Sequence, residues 1–496
     1  MSLYIGLDVG TQSVKLVAYD PVSREVVATT SSPLELTSGD NGTREQLAQW
    51  WIDGIVSCFA ALAPDYRGRV RGISVSGQQH GFVPVAADGH VTAPVKLWCD
   101  TSTHAQCAQI MEAVGGAEAS VTVAGNPVLA GYTASKLPWT REHRPEAYAA
   151  MTTVLLPHDY VNFWLTGERF MEAGDASGTG WMDVRTRTWS DAMLHAIDAT
   201  RDLRQALPPL VEAGTTFAVS ASAAEALGLP AGVRVTTGGG DNMMAAIGTG
   251  NVVPGRLTMS LGTSGTLFAY ADHPVVDDAA RWAAFCSSDG GWLPLICTMN
   301  CTVATENTMR MLNLSRAQCE AAVAGTAPGA DGLSMLPFLN GERTPDLPQA
   351  RGCLFGMNLH NTTPAHLYRA AMEGATYSIR YGFDAFVDAG LRFDTILLTG
   401  GGSKSAQWRQ MVADVFELPV VVPSQPEGAA FGAALQALWA CERAEGAGDD
   451  LATVVLDHLQ LDVALSAQPD PTRAAAYRHA YQEFLTHLQA IGPLYA

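Results

Sequence analysis

The sequence predicts an α/β protein made of two related lobes that face each other. Short apolar segments with the alternation typical of β-strands are interleaved with segments of helical periodicity along most of the chain. A hairpin with a Gly-Thr turn near the N-terminus has a counterpart about half a chain later, where Gly262-Thr263 repeats Gly10-Thr11. Gly-Thr turns are common, so a coincidental repeat is the alternative explanation.

Length and composition indicate a folded protein with more than one domain. The chain has 496 residues, which at about 100–200 residues per domain predicts roughly two to four domains. Hydrophobic residues make up 47% of the chain and charged residues 16%, which excludes a mainly disordered protein. The formal net charge of −19 repels nucleic-acid phosphates and anionic membrane surfaces. We therefore expect neither nucleic acid nor a membrane as a partner.

The cysteines and the N-terminal segment favour a cytoplasmic protein. The nine cysteines are odd in number and never form a Cys-x-x-Cys pair, which is typical of free thiols in a reducing compartment. The N-terminal segment has no basic region ahead of an apolar stretch, and Asp8 interrupts its apolar run, so it does not resemble a signal peptide.

The first hairpin is predicted to bind phosphate. Its strands span residues 3–8 and 14–19, and the turn between them contains Gly10, Thr11 and Gln12. Such a turn aims successive backbone N–H groups at one point, where an anion can bind. A carboxylate at Asp8 would repel phosphate unless a cation intervenes, so we expect Mg²⁺ there, with Lys15 adding positive charge. The alternative is a surface hairpin with a capping Asp8 and a solvated Lys15.

The second hairpin repeats this pattern without the acid. Its strands span residues 256–261 and 266–270, and the turn contains Gly262, Thr263, Ser264 and Gly265. Ser260 takes the place that Asp8 has in the first hairpin. We therefore expect one hairpin to bind metal and phosphate, and the other to bind phosphate alone.

A glycine-rich turn in the second half is predicted to contact a nucleoside. Gly400, Gly401 and Gly402 follow a strand predicted over residues 395–399, and Ser405 opens the next helix. Together with the two hairpins, this turn predicts ATP bound in a cleft between the lobes. The chain contains neither the GxxxxGK[ST] motif of P-loop enzymes nor the protein-kinase motifs, so both of those classes are excluded.

Asp241 is the sharpest candidate for a catalytic side chain. It follows three glycines, residues 238–240, which allow a ligand to approach the backbone closely, and it opens an apolar helical segment. The exposed amides and the dipole of a helix start favour an ionised carboxylate that can accept a proton. An ordinary helix cap at Asp241 is the alternative.

A second polar cluster follows the strand predicted over residues 71–76. Gln79 and His80 both donate and accept hydrogen bonds, which suits the hydroxyl groups of a sugar; a core histidine is the alternative for His80. Asp100 is a weaker candidate, and so is the pair Glu342-Arg343, for which a surface ion pair is the alternative.

At these residues the chain resembles the FGGY family of carbohydrate kinases, and the likeness covers essentially the whole sequence. The motifs that carry the resemblance appear in the family's order. They are residues 8–11, 77–81, 97–100, 136–139, 157–160, 238–242, 260–265, 341–345, 352–357 and 400–402. So many motifs in one order are far more specific than any single motif.

The resemblance implies two actin-like, ribonuclease-H-type ATPase domains with a catalytic cleft between them. Residues 1–243 would form the sugar-binding domain and residues 244–496 the nucleotide-binding domain. ATP and Mg²⁺ are the implied cosubstrate and metal, and Asp241 is the implied catalytic base. The implied sugar-binding residues are Gln79, His80, Asp100, Asp241 and Asn242. The implied metal ligands are Asp8 and Asp241. The implied ATP-binding residues are Gly10, Thr11, Gln12, Lys15, Gly262, Thr263, Gly265, Gly400, Gly401, Gly402 and Ser405.

The resemblance also narrows the sugar. Glycerol kinases of this family have an Arg-Glu pair after the equivalent glutamine, whereas this chain has Gln79-His80, so a pentulose, such as D-xylulose, is favoured over glycerol as the acceptor. A homodimer and a role in xylose catabolism are further implications. Two alternatives stay open: a related kinase for another ketose or a sugar acid, and an actin-like ATP-binding module that phosphorylates no sugar.

Overall fold

A computed structural model describes residues 2–495, and its strands and helices alternate along the chain. The strands β1 to β25 are, in order, Leu3–Val9, Ser13–Asp20, Glu25–Pro33, Thr37–Ser38, Arg44–Gln46, Val70–Gly77, Val83–Val85, Val95–Lys96, Thr153–Leu155, Met171–Glu172, Met182–Asp183, Thr188–Trp189, Leu210–Val211, Thr216–Ala218, Arg234–Thr236, Gly239–Gly240, Gly255–Leu261, Gly265–Ala269, Ala283–Cys286, Trp292–Thr298, Ser334–Leu336, Cys353–Phe355, Phe393–Thr399, Val420–Pro423 and Leu461–Ala467.

The helices also lie within residues 2–495. The α-helices α1 to α18 are, in order, Ala48–Ala61, Pro64–Gly68, His104–Val114, Ala117–Ala124, Lys136–His143, Pro145–Ala150, Pro157–Thr166, Ala173–Ala176, Asp191–Ile197, Ala221–Leu227, Asp241–Thr249, Thr302–Met311, Arg316–Ala324, Pro364–Asp388, Ala406–Phe416, Gly428–Ala444, Leu451–His458 and Pro471–Ile491. Short 3₁₀ helices span Leu203–Ala206, Ala330–Gly332, Gly401–Lys404 and Gly492–Leu494.

Two large sheets have the same topology, which confirms the predicted repeat. The first sheet has the order β14-β15-β6-β1-β2-β3, with β16 pairing with β6, and the second has the order β19-β20-β18-β17-β23-β24-β25. In each sheet an antiparallel hairpin, β1–β2 or β17–β18, is joined on one side to two parallel strands. An antiparallel strand, β14 or β25, closes that side. The two halves of the chain therefore fold as two related α/β lobes.

The first sheet is covered by helices on both faces, which explains the continuous apolar sequence of its central strand. In β1, Leu3, Ile5, Leu7 and Val9 are fully buried, and the intervening Tyr4 is only 8% exposed. Parallel and central strands of such sheets are buried on both faces. Helices α1, α7 and α10 lie on one face, and α16 packs against β1 and β6 on the other.

Helix α16 comes from the second half of the sequence but packs on the first lobe. Glycines permit this close packing: a Cβ on Gly6 would lie 1.7 Å from the Ala430 carbonyl oxygen, and one on Gly432 would lie 1.9 Å from that of Met244. Met244 belongs to α11, so α11, α16 and β1 pack almost backbone to backbone. The expected division between residues 243 and 244 falls inside α11.

The second lobe contains the two longest helices. A threonine followed by a proline is a typical helix start, and it is expected at Thr363-Pro364. Thr363 caps α14, with its side-chain oxygen accepting the His366 backbone N–H, and Pro364 occupies the first turn. The terminal helix α18 packs against α15 and β21 of this lobe. Within residues 2–495 no helix is both long and apolar enough to cross a membrane. All nine cysteines are free thiols, as predicted.

Candidate active site

Strand register brings Asp8 and Asp241 to the same edge of the first sheet. Asp8 in β1 lies opposite Ser76 in β6, and Ser76 lies opposite Gly239 in β16. The Ser76 hydroxyl donates a hydrogen bond to Asp8 Oδ1 at 2.8 Å. Two residues after Gly239 the chain reaches Asp241, the first residue of α11. The edge where these parallel strands end is the usual ligand-binding edge of an α/β sheet.

A cavity of about 370 Å³ lies between the lobes at this edge. The first lobe contributes Gln79 and His80 to its wall, and Asp241 and Asn242 lie beside them. Ser264 and other residues of the second lobe form the facing wall. Both lobes are therefore needed to complete the cavity, which is large enough for a small sugar.

Burial, reinforced by the nearby carboxylates of Asp8 and Asp175, raises the pKa of Asp241 to about 8. The sequence argument expected a helix start to keep this carboxylate ionised, and that expectation is wrong for the free protein. The carboxylate does accept the Asn242 N–H at 2.8 Å, but one such bond does not offset burial beside two other acids. The cap residue is Gly240, so Asp241 is not an ordinary N-cap.

Gln79, Asn242 and Asp241 form a connected polar array at the cavity wall. The Asn242 side-chain amide donates to Gln79 Oε1 at 2.8 Å and to Asp241 Oδ1 at 3.1 Å. The structure thus brings together Gln79 and Asp241, which were predicted separately from the sequence, and Asn242, which the resemblance implied. Each has polar atoms of the type that binds sugar hydroxyls.

His80 lines the cavity as a neutral imidazole. Burial, reinforced by the charge of Lys136, lowers its pKa to about 3. Its Nδ1 lies 2.7 Å from the Gly178 carbonyl oxygen, which requires Nδ1 to be the protonated nitrogen and leaves Nε2 as an acceptor. The ring stacks on Tyr132 at 4.7 Å. The His80 backbone has a φ of 64°, and its carbonyl accepts hydrogen bonds from Lys136 and Thr133.

The three glycines before Asp241 make room for neighbouring protein atoms, both backbone and side chain, which corrects the expectation that they admit a ligand. A Cβ on Gly238 would lie 2.4 Å from the Val75 carbonyl oxygen, and one on Gly239 would lie 2.3 Å from Ser288 Oγ. A Cβ on Gly240 would lie 2.7 Å from Gln79 Cγ. The loop is therefore packed tightly from within the protein.

The turn of the first hairpin offers backbone amides to a ligand. The N–H groups of Thr11 and Gln12 have no acceptor among the described residues, as expected of an anion-binding turn. The Thr11 side chain is already engaged: its hydroxyl donates to Gln78 Oε1 and accepts from Trp98 Nε1, both at 3.0 Å. Lys15 forms an ion pair with Glu427 at 2.6 Å, so the alternative of a freely solvated lysine is wrong.

The second hairpin has a shorter turn with the same property. Its strands close at Leu261 and Gly265, whereas those of the first close at Val9 and Val14. The N–H groups of residues 262–264 have no acceptor among the described residues, whereas that of Gly265 donates to Thr298 Oγ1 at 3.1 Å. The amide of Gly265 is therefore not available to phosphate, in contrast to its neighbours.

The glycine-rich turn at residues 400–402 packs on the second hairpin. Gly400 has a φ of +82°, and a Cβ there would lie 2.6 Å from the Leu261 carbonyl carbon and oxygen. A Cβ on Gly401 would meet no atom within 4 Å, so this residue faces open space. Ser405 caps α15, with its hydroxyl accepting the Trp408 N–H at 3.0 Å. Of these residues, Gly401 is the one a nucleoside could approach.

Asp100 does not line the cavity, although the sequence analysis placed it among the sugar-binding residues. Its carboxylate is fully buried and bound by Lys96 Nζ at 2.9 Å, by Ser102 and by the Arg44 N–H. The motif that contains it contributes Trp98 to the cavity instead. The hydrogen bonds of the buried Asp100 anchor the loop that carries Trp98.

Glu342 and Arg343 do not form the surface ion pair that was weighed for them. Glu342 is buried and accepts hydrogen bonds from Asn300 and from the Met299 backbone N–H, whereas Arg343 lines the cavity. Tyr132 also lines the cavity and was not predicted, because nothing in its local sequence distinguishes it from other loop aromatics.

The acids at the site suit a divalent cation whose remaining ligands are water and phosphate oxygens. Within residues 2–495 no group of three or more His, Cys, Asp and Glu side chains could hold a metal. Asp8 and Asp241 are two neighbouring half-buried carboxylates, and desolvation raises the pKa of Asp8 as well. Mg²⁺ is commonly bound by one or two carboxylates with water and phosphate oxygens completing its shell, so this pair suits it.

Comparison with known proteins gives one consistent result. Residues 3–248 match the N-terminal domain of the FGGY family of carbohydrate kinases, and residues 257–441 match its C-terminal domain. A xylulose kinase from Haemophilus influenzae is 40% identical over 497 residues, which cover 99% of this chain and 100% of that protein. The crystal structure of a xyloylose kinase from Brucella ovis aligns with a TM-score of 0.91 at 31% identity, covering 99% of this chain and 100% of that one.

A more distant structure shares the fold alone. A gluconate kinase from Lactobacillus acidophilus aligns with a TM-score of 0.91 at 23% identity, covering 100% of this chain and 99% of that one. The chain therefore belongs to the FGGY family of carbohydrate kinases. The predicted fold of two actin-like domains is confirmed.

Proposed function

We propose that this FGGY-family kinase transfers the γ-phosphoryl group of ATP to D-xylulose, giving D-xylulose 5-phosphate and ADP in xylose catabolism. The observation that carries the proposal is the position of Asp241. It lies beside Asp8 at the ligand-binding edge of the first sheet and in the wall of a cavity closed by the second lobe. The relatives named xylulose kinase support the choice of sugar.

In this proposal Asp241 is the catalytic base. The oxygen of the C5 hydroxyl attacks the γ-phosphorus in line, and Asp241 accepts the hydroxyl proton. The bond from the γ-phosphorus to the oxygen bridging it to the β-phosphate breaks, and ADP leaves with that bond's electrons. The raised pKa of Asp241 suits this role because a more basic carboxylate accepts a proton more readily once it is ionised.

The other residues bind and orient the substrates. His80 Nε2 accepts a sugar hydroxyl, and Gln79 and Asn242 bind neighbouring hydroxyls. The free amides of the two hairpin turns hold the phosphates, and the nucleoside lies over Gly401. A divalent cation such as Mg²⁺, held by Asp8 and Asp241, would supply positive charge to the phosphate oxygens. Positioning of this kind supplies most of the acceleration in phosphoryl transfer.

A sugar acid is the second candidate acceptor, favoured by one observation. Arg343 lines the cavity and has no ion-pair partner among the described residues, so it could bind a carboxylate. The other arginine in the wall, Arg281, is already paired with Asp277 at 2.9 Å. A carboxylate on the acceptor would therefore depend on Arg343 alone.

A panel of acceptors tests the proposal. Initial rates with Mg-ATP are measured for D-xylulose, ribulose, gluconate and glycerol, with the Asp241→Asn variant as the chemical control. We expect the highest kcat/KM for D-xylulose and a loss of about 10²- to 10⁴-fold in the variant. A preference for gluconate that disappears in Arg343→Gln would establish the sugar acid instead. ATP hydrolysis unaffected by every sugar would favour the ATP-binding module without kinase activity.

A further inference from the structure

A buried Asp-His-Asp cluster lies directly behind the sugar-binding residues. His158, at the start of α7, has its Nε2 2.9 Å from Asp159 Oδ1 and its Nδ1 2.8 Å from Asp175 Oδ2. All three side chains are at most 1% exposed. The Nδ1 contact is a hydrogen bond, whereas Nε2 and Asp159 Oδ1 lie close without hydrogen-bond geometry. Carboxylates this close to both ring nitrogens stabilise the imidazolium, in which both nitrogens are protonated.

The backbone is built to hold this histidine in place. A Cβ on Gly77, at the end of β6, would lie 2.8 Å from the His158 backbone nitrogen, and one on Gly238 would lie 3.2 Å from His158 Cδ2. Asp159 is held independently of the imidazole, because its Oδ2 accepts the Leu156 N–H at 2.9 Å. Two of the glycines that begin the active-site loops therefore lie against His158.

The second carboxylate oxygen of Asp175 faces Gln79. Asp175 Oδ1 and Gln79 Nε2 are both buried, and neither has a hydrogen-bond partner among the described residues. A Cβ on Gly240 would lie 3.0 Å from Asp175 Oδ1 and 3.1 Å from Gln79 Cδ, which places both groups around the same point. Burial raises the pKa of Asp175 overall, the hydrogen bond and charge of His158 are the main effects that oppose this rise, and Gln79 adds a smaller one. The carboxylate thus specifies which end of the Gln79 amide points inward.

The chain of contacts continues to the catalytic base. With Nε2 towards Asp175, Gln79 presents Oε1 to the Asn242 amide at 2.8 Å, and that amide also reaches Asp241 Oδ1 at 3.1 Å. If the Gln79 amide were reversed, two N–H donors would face each other at Asn242 and two oxygens would face each other at Asp175. The orientation of the sugar-binding amides therefore depends on an ionised Asp175.

We propose that His158 is a positioning residue of the sugar site: as an imidazolium it keeps Asp175 ionised, and Asp175 then orients Gln79 and Asn242 beside Asp241. Although burial alone would lower the pKa of His158, Asp159 and Asp175 raise it well above its usual value. Glu172, in the adjacent strand β10, also faces this charge, and its pKa is raised to about 7 mainly by burial. Only the kinetic test of this proposal, which measures KM for D-xylulose, rests on the proposed function.

The first test measures charge and needs no substrate. Histidine-¹⁵N NMR of the full-length protein at pH 8 should show one imidazolium with both nitrogens protonated, and this signal should be missing from His158→Gln. A neutral imidazole signal for His158 would overturn the proposal, whatever the protein phosphorylates. If the Gln79 and Asn242 amides do not depend on Asp175, the NMR signal of His158 will be as expected but the variants below will keep a normal KM for D-xylulose. That result would overturn the positioning role.

The second test separates positioning from stability. In His158→Gln and Asp175→Asn, KM for D-xylulose should rise about 10- to 100-fold while KM for ATP stays within about twofold. His458→Gln, which removes a partly buried histidine bonded to Tyr19 on the other side of the lobe, is the matched control and should change neither KM. The double variant should lose no more than the worse single variant, because both substitutions break one chain of contacts.

Other results would contradict the positioning role. His158 would have a purely structural role if KM rose equally for the sugar and for ATP, or if the losses in the double variant were additive. The same conclusion would follow from a lowered Tm with an unchanged KM for the sugar. Asp175→Asn by itself tests the same chain of contacts through KM for D-xylulose, because it removes the carboxylate that faces Gln79. This measurement stands if His158→Gln does not fold. Wild-type protein that phosphorylates no sugar refutes the proposed function and leaves the NMR result to decide on His158.

Discussion

Lys15 and Glu427 form an ion pair with an Nζ–Oε2 distance of 2.6 Å, although they lie 412 positions apart in the chain. Lys15 belongs to the first hairpin, which is proposed to bind phosphate, and Glu427 precedes helix α16, which returns from the second half to pack on the first sheet. The one lysine predicted to bind phosphate is therefore oriented by an acid that the local sequence does not reveal.

Substitutions of this pair should have opposite effects on ATP. Lys15→Met removes a positive charge next to the phosphate-binding turn and should raise KM for ATP several-fold, whereas Glu427→Gln frees the charge of Lys15 and should leave KM for ATP equal or lower. Both side chains are about one-third exposed, so we expect little change in stability from either substitution. Equal increases in KM for both variants would show that the ion pair itself, rather than the lysine charge, matters.

The pH dependence of turnover should reflect Asp241 and not His80. The pKa of Asp241 is raised to about 8, so in the free enzyme the proposed base is mostly protonated at pH 6 and becomes available as the pH rises. We expect kcat/KM for D-xylulose to rise with pH through the neutral range. His80 should not titrate there, because its pKa is lowered to about 3. A profile that is flat from pH 6 to 9 would contradict the assignment of the base.

Asp241 should also make stability depend on pH. Because its pKa is higher in the folded state than in the unfolded state, the folded protein binds the extra proton between about pH 4 and pH 8, and this contribution to stability is lost as pH rises through that range. Asp241→Asn should therefore raise Tm at pH 8.5 and have no effect near pH 4. Calorimetry of both proteins checks this. A variant that melts below the wild type at pH 8.5 would show that the carboxylate stabilises the site.

Asp100 should prove structural rather than catalytic. Removing its charge in Asp100→Asn leaves the buried Lys96 without its nearest acid, which in comparable buried pairs costs about 3–5 kcal/mol. We expect a lower urea midpoint but an unchanged KM for D-xylulose in the folded fraction. Glu45 lies 3.3 Å from Lys96 and should limit the loss. A large increase in KM for D-xylulose without a loss of stability would show that Asp100 is a sugar-binding residue.

Adjacent glycines in the nucleoside turn should behave differently. Gly400→Ala places a Cβ 2.6 Å from the Leu261 backbone at a φ of +82°, so this variant should be strongly destabilised. Gly401→Ala meets no atom within 4 Å and should fold like the wild type, but its methyl group enters the space assigned to the nucleoside and should raise KM for ATP. Thermal melting and ATP kinetics of the two variants distinguish these effects. A normal KM for ATP in Gly401→Ala would show that the nucleoside binds elsewhere.

Much of the architecture followed from local sequence. Both hairpins, the strand before Gly400 and the cap at Thr363 depend on turn residues, alternation and capping within a few positions, and the structure has them where they were expected. The repeated Gly-Thr turn correctly predicted two sheets of one topology, because each hairpin is the centre of its sheet.

The chemistry of the site depended on contacts between distant residues. Local sequence placed Asp241 at a helix start, but its raised pKa comes from burial beside Asp8 and Asp175. Asp100 was chosen from a motif in which Trp98 is the residue that reaches the cavity, because only the tertiary contact with Lys96 turns the acid inward.

The sequence by itself determined the fold class, the paired hairpins and the identity of the polar residues around the cleft, since near neighbours along the chain decide turns, caps and strand alternation. Only the tertiary structure decided which acids are buried together, which glycines accommodate His158 and Gln79, and how Glu427 meets Lys15. These outcomes depend on desolvation and close packing between segments up to hundreds of residues apart, and no local pattern encodes the distance between them.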